Sequence, residues 1–415
     1  MLIESKTVSI HGAPFMVVLL RLATFCAFSL LTLSGAARAD GWSAVLAKAR
    51  GQEVHFNAWG GDEKVNAYLA WVAERMARDH GVILRHVKVG DIAEVVSRLL
   101  AEKTAGRNDG GTTDLMWVNG ENFQALKDNG LLWGPFLTTL PNAALLDLEG
   151  TPTLTTDFTL PTDGLESPWG MAQFVFMVDT ARVATPPPTL VALGEWITAH
   201  PGRFTYPAPP DFTGSTFLKQ ALHDLTPDPS VLQRPATDAS FAAATAPLWR
   251  WLDAIHPALW RQGKAFPASA PDLRRMLDDG VVDFAMTFRT GEASSAIAQG
   301  LLPDTVRTFV FTGGTIGNTH FVAIPWNASA REGALVVADF LLSPEAQLRK
   351  QDPTHWGDDT VLSLDRLTRA ERGQFDSLPL GVATLSPDAR GVPLSEPHPS
   401  WMTRVEAEWA RRYTR

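Results

Sequence analysis

Four places along the chain combine residue types that can hold a small molecule. The first is Trp59-Gly60-Gly61-Asp62, where an apolar run from Val54 breaks just before a helical pattern. A turn into a helix needs the glycines and an acid to cap it. Trp59 is surplus to that need, and an indole face can cover a sugar, a flat ring or a cation. The second, Thr213-Gly214-Ser215-Thr216, opens a helical run. Its N–H groups and hydroxyls can receive an anion at the positive end of a helix dipole, or a single hydroxyl can simply cap the helix. The third is Arg289, which follows the strand-like Asp283 to Phe288. It can clamp a carboxylate or phosphate through two parallel hydrogen bonds, or lie in solvent. The fourth is Asn318 after the glycine-rich Gly313 to Gly317, either an amide contact or a turn former. Asn119 at a third strand end and Trp169 beside Gly170 are candidates of the same kind.

Acids stand near the same places: Asp62, Glu121, Glu166, Asp211 and Glu292. Two of them facing Trp59 would suit a cationic solute. Arg289 with the Thr213 to Thr216 turn would suit an anion, and both sets together a zwitterion. Signatures of catalysis are missing: the chain has no Gly-x-Ser-x-Gly elbow, His-Glu-x-x-His pair, P-loop or dinucleotide fingerprint. The histidines are scattered, and Tyr68, Tyr206 and Tyr413 are far apart in the chain, so neither a metal nor another cofactor is expected. The alternative enzyme reading is a secreted carbohydrate hydrolase or lyase with Glu121 and Glu292 paired across a cleft. A structural adaptor without an enclosed cleft is a further alternative.

The elements that must position these residues alternate. Glu53 to Asn57, Val82 to Val89 and Asp114 to Val118 read as strands. Each leads into a run with apolar residues at helical spacing: Val65 to Met76, Ile92 to Leu100, and Glu121 to Asn129. Three such units predict a parallel sheet flanked by helices, with ligands bound beyond the carboxyl ends of the strands. Ser167 to Asp179 reads as one long strand able to pass from one lobe into another. A second set of units follows, with strands at Arg203 to Tyr206, Val282 to Phe288 and His320 to Ile324, and a helix over Ala328 to Leu342.

Residues 1–39 read as a signal peptide. The apolar run Leu22 to Leu33 is short of the roughly 20 residues that span a bilayer, and Ala37-Arg38-Ala39 gives the small-x-small pattern for cleavage after Ala39. Met1 and Met16 both remain possible starts. Cleavage removes three bases, Lys6, Arg21 and Arg38, with one acid, Glu4, and so takes the net charge from −9 to −11. That balance argues against nucleic-acid binding. The single cysteine, Cys26, lies inside the signal, leaving the mature chain without a disulfide.

The blocks "HFNAWGGDEKVNAYL", "DLMWVNGENF", "ESPWGMAQFVFMVD", "GRFTYPAPPDFTGSTFLKQ", "DFAMTFRTGEA" and "GTIGNTHFVAIP" resemble, in this order, the extracellular solute-binding proteins of ABC importers, in their YnjB-like branch. The resemblance implies an α/β fold of the type II periplasmic-binding-protein kind, with two lobes, each a mixed sheet flanked by helices. It implies a monomer that captures a small polar solute in the periplasm and delivers it to an ABC permease with its ATPase. On this plan 40–175 with about 319–415 form lobe I, 176–318 form lobe II, and the hinge lies near 172–179 and 317–321. Trp59, Gly60 and Asn119 then line one wall, Thr213, Gly214, Ser215 and Arg289 the other, with Trp169 and Asn318 near the hinge.

Overall fold

The structure is a computed structural model that describes residues 41–391 and 393–414. The signal segment, Cys26 and the cleavage site lie outside the described residues. A helix over 41–49 (α1) precedes strand β1 (Glu53–Trp59). Asp62 caps α2 (Glu63–Arg75), accepting hydrogen bonds from the backbone N–H groups of Lys64 and Val65, and the helical stretch stops at Gly81 with φ 69°. Next come β2 (Ile83–Val89), α3 (Ala93–Thr104), β3 (Leu115–Val118) and α4 (Glu121–Asp128). A long connection carries the small hairpin β4 (Thr156–Asp157) and β5 (Leu160–Pro161) to β6 (Glu166–Gln173).

Chain entry into the second lobe is abrupt. The expected long strand breaks at Phe174, so that β7 (Val175–Asp179) belongs to a different sheet. Helices α5 (Leu190–Ala199), α6 (Phe212–Leu225), α7 (Asp238–Ile255) and α8 (Ala270–Asp278) lead to β8 (Phe284–Thr287), α9 (Glu292–Ala298) and β9 (Val306–Phe309). Strand β10 (Gly317–Ala323) returns to the first sheet. It is followed by α10 (Arg331–Leu341), α11 (Pro344–Gln351), α12 (Arg369–Asp376), α13 (Pro387–Arg390) and α14 (Pro399–Tyr413). Among the described residues no helix is long and apolar enough to cross a membrane.

The first sheet has the order β2-β1-β3-β10-β6. β1 pairs in parallel with β2 and β3, as the three strand–helix units predicted, whereas β10 is antiparallel to both β3 and β6. The sheet is therefore mixed. The second sheet is small, β8-β7-β9, with both pairings antiparallel. The predicted strand Arg203 to Tyr206 is not a strand; Arg203 accepts one backbone bond from Asp283 and Phe204 one from Trp260, too few for a ladder.

Each lobe has its own core. Phe56, Leu69, Trp169, Val322 and Leu341 pack in the first, and Phe176, Phe217, Leu248 and Met286 in the second. Helix α14, expected with the first lobe, instead buries Trp401, Val405 and Trp409 in the second core. Its indoles are fixed there by hydrogen bonds from Trp401 Nε1 to Arg234 O and from Trp409 Nε1 to Tyr206 Oη, each 2.8 Å. The chain thus passes between the lobes at Phe174, between Phe309 and Gly317, and between Phe375 and Ala383. The first two passages run side by side, joined by the bond from Phe174 N to Ile316 O at 2.7 Å.

Candidate functional site

The sheet order puts the carboxyl ends of β1, β3 and β6 and the amino end of β10 on one rim, and that rim meets the second lobe. Two polar clusters fill the seam.

The first cluster is a set of ion pairs. Arg289, at the end of β8, places Nη2 3.0 Å from Asp62 Oδ2 on the first lobe and 3.0 Å from Glu292 Oε1 on its own. Glu292 is also held by Arg274 at 3.1 Å and by the Thr287 hydroxyl at 2.5 Å. Burial opposes the charge on Arg289, but the Glu292 and Asp62 carboxylates outweigh it and raise its pKa further. Beside it the Lys64 ammonium donates to the Ser295 hydroxyl and, at 2.7 Å, to Pro353 O. Burial first, then Arg289, lowers the pKa of Lys64. These contacts tie the first turn of α2 to the loop after β8 and to α9.

The second cluster surrounds Lys219 of α6, whose side chain is 0% exposed. Its Nζ lies 2.6 Å from Glu396 Oε2, and 4.6 and 5.1 Å from the ring centroids of Phe158 and Phe212. Glu396 is 4% exposed, and its Oε1 has no hydrogen-bond partner. Asn318 is 8% exposed, lies beside Glu396, and its Nδ2 is likewise without a well-formed bond. Burial raises the Glu396 pKa, and Lys219 and Asn318 counter it. The Ser215 hydroxyl donates to Glu406 of α14. From the first lobe, Gly120 N donates to both oxygens of Asp157 at 2.8 Å. Gly120 has φ 63°, and a Cβ there would lie 2.7 Å from the Phe158 ring, so only glycine fits the approach of that ring.

Next to Gly120, at the start of α4, burial pushes Glu121 up to about 7, with Glu406 and Asp91 acting in the same direction and Lys219 against. The unfolded carboxyl titrates near about 4.3. Between these values the folded chain holds a proton that the unfolded chain has lost, so stability falls as pH rises through that window. Glu121→Gln is expected to match the parent near pH 4 and to be about 1–3 kcal/mol more stable at pH 8. Urea unfolding at the two pH values checks this; an unchanged difference between them would contradict it.

The residues singled out from sequence are placed as follows. Ser215 and Asn318 come to the seam around Lys219, and Asn119 follows the end of β3, next to Gly120. Arg289 reaches the seam too, but both of its partners there are carboxylates of the protein. Thr213 and Gly214 give their N–H groups to Asp211 Oδ1 at 3.0 Å each, which caps α6 and leaves those donors unavailable to an anion. Gly214 also packs so closely on Pro207 O that a Cβ would lie 2.1 Å away. Trp169 departs most from expectation. It is 0% exposed in the first core, boxed by Trp117 at 4.9 Å and Trp356 at 5.3 Å between centroids. The adjacent Gly170 makes room for His320 and Asp358 rather than for a ligand. Trp59 remains 38% exposed, with its ring laid across Gly61, and Gly60 is bonded to Val89 O and Asn66.

Sequence reasoning missed Lys219, Asp157, Phe158, Glu396 and Glu406. Lys219 alone left a signal, as a lysine set among Leu218, Ala221 and Leu222. The hydrolase reading needs Glu121 and Glu292 as a free pair, yet Glu292 is engaged by two arginines and a hydroxyl. A surface depression of about 570 Å³ lined by His55, Asn57, Arg98 and Asp114 belongs to the first lobe alone. Among the described residues no group of three or more His, Cys, Asp or Glu could hold a metal ion.

Two lobes joined by paired crossing strands thus meet on a polar seam. A family model described as bacterial extracellular solute-binding protein matches residues 70–352, and the chain belongs to that family. It is 46% identical over 385 residues to Protein YnjB of Escherichia coli (strain K12), which covers 92% of this chain and 97% of that protein. Among solved structures it is similar to the periplasmic binding protein AfuA from Actinobacillus pleuropneumoniae, with bound fructose-6-phosphate (TM-score 0.58, 13% identity, 88% of this chain and 99% of that one). It is also similar to the spermidine/putrescine substrate-binding protein PotD from Streptococcus pneumoniae (TM-score 0.56, 14% identity, 88% and 99%). At these identities the likeness shows the fold alone. The chain is accordingly an ABC transporter solute-binding protein of two-lobed α/β fold, a transport component and not an enzyme.

Proposed function

We propose that this protein captures its solute in the seam around Lys219 and hands it, lobes closed, to a permease driven by a partner ATPase. The observation that carries the reading is at the meeting of the lobes, where Glu396 and Asn318, buried side by side, leave Oε1 and Nδ2 without a well-formed hydrogen bond even to each other. Buried polar atoms are rarely left unpaired, so such a pair marks a place that a guest can complete. Asn119, Ser215 and Asn318 are the expected contacts, joined by Glu121, Lys219 and Glu396. Trp59 and Gly60 stand at the mouth, Arg289 acts as a latch between the lobes, and Thr213 and Gly214 fix the start of α6 through Asp211. Trp169 supports the rim from within the core.

The hinge is assigned to the paired passages at Phe174 and 310–316, with 376–382 as a third connection. The lobes accordingly comprise residues 41–173 with 317–375, and residues 175–309 with the region from Ala383. The protein acts as an exported monomer that does not bind nucleic acid, consistent with a mature charge of −11. Its intact mass should begin at Asp40. A thermal-shift and small-angle scattering screen against amines, amino acids, sugars and phosphorylated sugars tests the reading. A true solute at 100 times its Kd should add about 2.7 kcal/mol and shrink the radius of gyration. Solutes that raise the melting temperature without any compaction would place binding elsewhere than between the lobes.

A further inference from the structure

The ionisable groups that meet in the seam are unequal. Asp157 and Glu121 come from the first lobe, Glu396 and Glu406 from the second, and Lys219 is the cation that acts on all four. An anionic solute would need donors that are already engaged. Arg289 is neutralised by Asp62 and Glu292, and the N-terminal N–H groups of α6 are taken by Asp211. The apolar walls point the same way. Phe158 from one lobe and Phe212 from the other present their rings to an ammonium, that of Lys219, and aromatic faces attract cations. The side chain that decides the matter is Glu396. It is nine-tenths buried or more, with Oε2 on Lys219 and Oε1 facing no donor of suitable geometry. A buried carboxylate oxygen without a partner calls for an N–H donor, and a charged one makes the stronger bond.

We infer that the solute is an organic ammonium, its N–H directed at Glu396 Oε1 and its adjacent carbons held between Phe158 and Phe212. This rests on the solute-binding reading above and narrows it to a charge class. Burial raises the pKa of Glu121, Asp157 and Glu406, so these acids gain most from a cation beside them, and Lys219 fixes the second oxygen of Glu396 so that one acceptor stays directed at the guest. A positively charged solute favours the ionised form of these buried acids, whereas an added carboxylate or phosphate disfavours it further.

Calorimetric titration of the mature protein with putrescine, spermidine and tyramine tests this, alongside succinate, fructose 6-phosphate and glucose. At least one amine is expected to bind saturably. Glu396→Gln should weaken it by about 30-fold or more, because the acceptor loses its charge. Glu121→Gln, which breaks no ion pair and keeps the fold intact, should weaken it about tenfold. Amine affinity should also rise between pH 6 and 8, as Glu121 ionises. Binding of an anion or of glucose with no response to any amine overturns the charge assignment and leaves the solute-binding reading standing. Amine binding that both variants leave unchanged also overturns the assignment. Silence from all six probes, with no compaction in scattering, counts against both readings.

Discussion

Replacing Arg289 by methionine is expected to weaken solute binding by about 5- to 150-fold, through loss of closure rather than loss of a solute contact. The guanidinium bridges Asp62 of one lobe and Glu292 of the other at 3.0 Å each, with side-chain exposures low enough to limit screening by water. Glu292 keeps Arg274 and Thr287 after the change, so the second lobe retains its local order. Asp62 keeps its place as the cap of α2. What disappears is the interaction that exists only when the lobes touch, and an interaction confined to one state shifts the equilibrium by its own free energy. Removing one partner of a half-screened pair of this kind is worth about 1–3 kcal/mol. Asp62→Asn is the matched control, because asparagine caps a helix about as well as aspartate while giving up the charge. If Arg289 is a latch, both single variants lower affinity and the double variant is little worse than either. If it grips the solute directly, Asp62→Asn instead tightens binding by releasing the guanidinium, and the two effects separate in a single titration series.

The parts of the fold legible in sequence were those set by local rules. Period-3.6 stripes, the Asp62 cap and the stop at Gly81 announced α2, and three strand–helix units announced the parallel half of the first sheet. The antiparallel strands β10 and β6 follow no such rule, because their pairing joins segments about 150 residues apart. Trp169 shows why a motif can mislead. A tryptophan beside a glycine at a strand suggests an open indole face, yet here the glycine answers a packing demand from His320 on the neighbouring strand. Arg289 was legible as a residue of the seam, but its partner Asp62 lies 227 positions earlier, and nothing in either neighbourhood marks the pairing. Glu396 and Glu406 were invisible for the same reason. They reach the seam only because Trp401 and Trp409 anchor the C-terminal helix in the second core, a tertiary choice that local propensity does not encode.

Lys219→Met should produce the largest loss of stability in the protein, about 3–5 kcal/mol by chemical unfolding. Methionine fits the apolar stem of the lysine, so little packing is lost; what remains is a Glu396 carboxylate fully buried and stripped of its cation. Glu396 then becomes strongly reluctant to ionise. Its folded pKa, already raised by burial, should climb further, so the deficit grows as pH rises and shrinks below about pH 4, where the carboxyl is mostly neutral in both states. Adding Glu396→Gln to Lys219→Met removes the stranded charge and should recover most of the loss, since a buried pair replaced by neutral groups is often close to neutral in stability. The pattern separates two pictures of the resting protein. With the lobes apart, water reaches Lys219 and Glu396, the single variant costs under about 1 kcal/mol, and the double variant recovers nothing. A large single loss, strongest at alkaline pH and reversed by the second substitution, means that the lobes hold this pair out of water without help from a bound solute. A solute then reaches Glu396 through Oε1 alone, because Lys219 already holds Oε2.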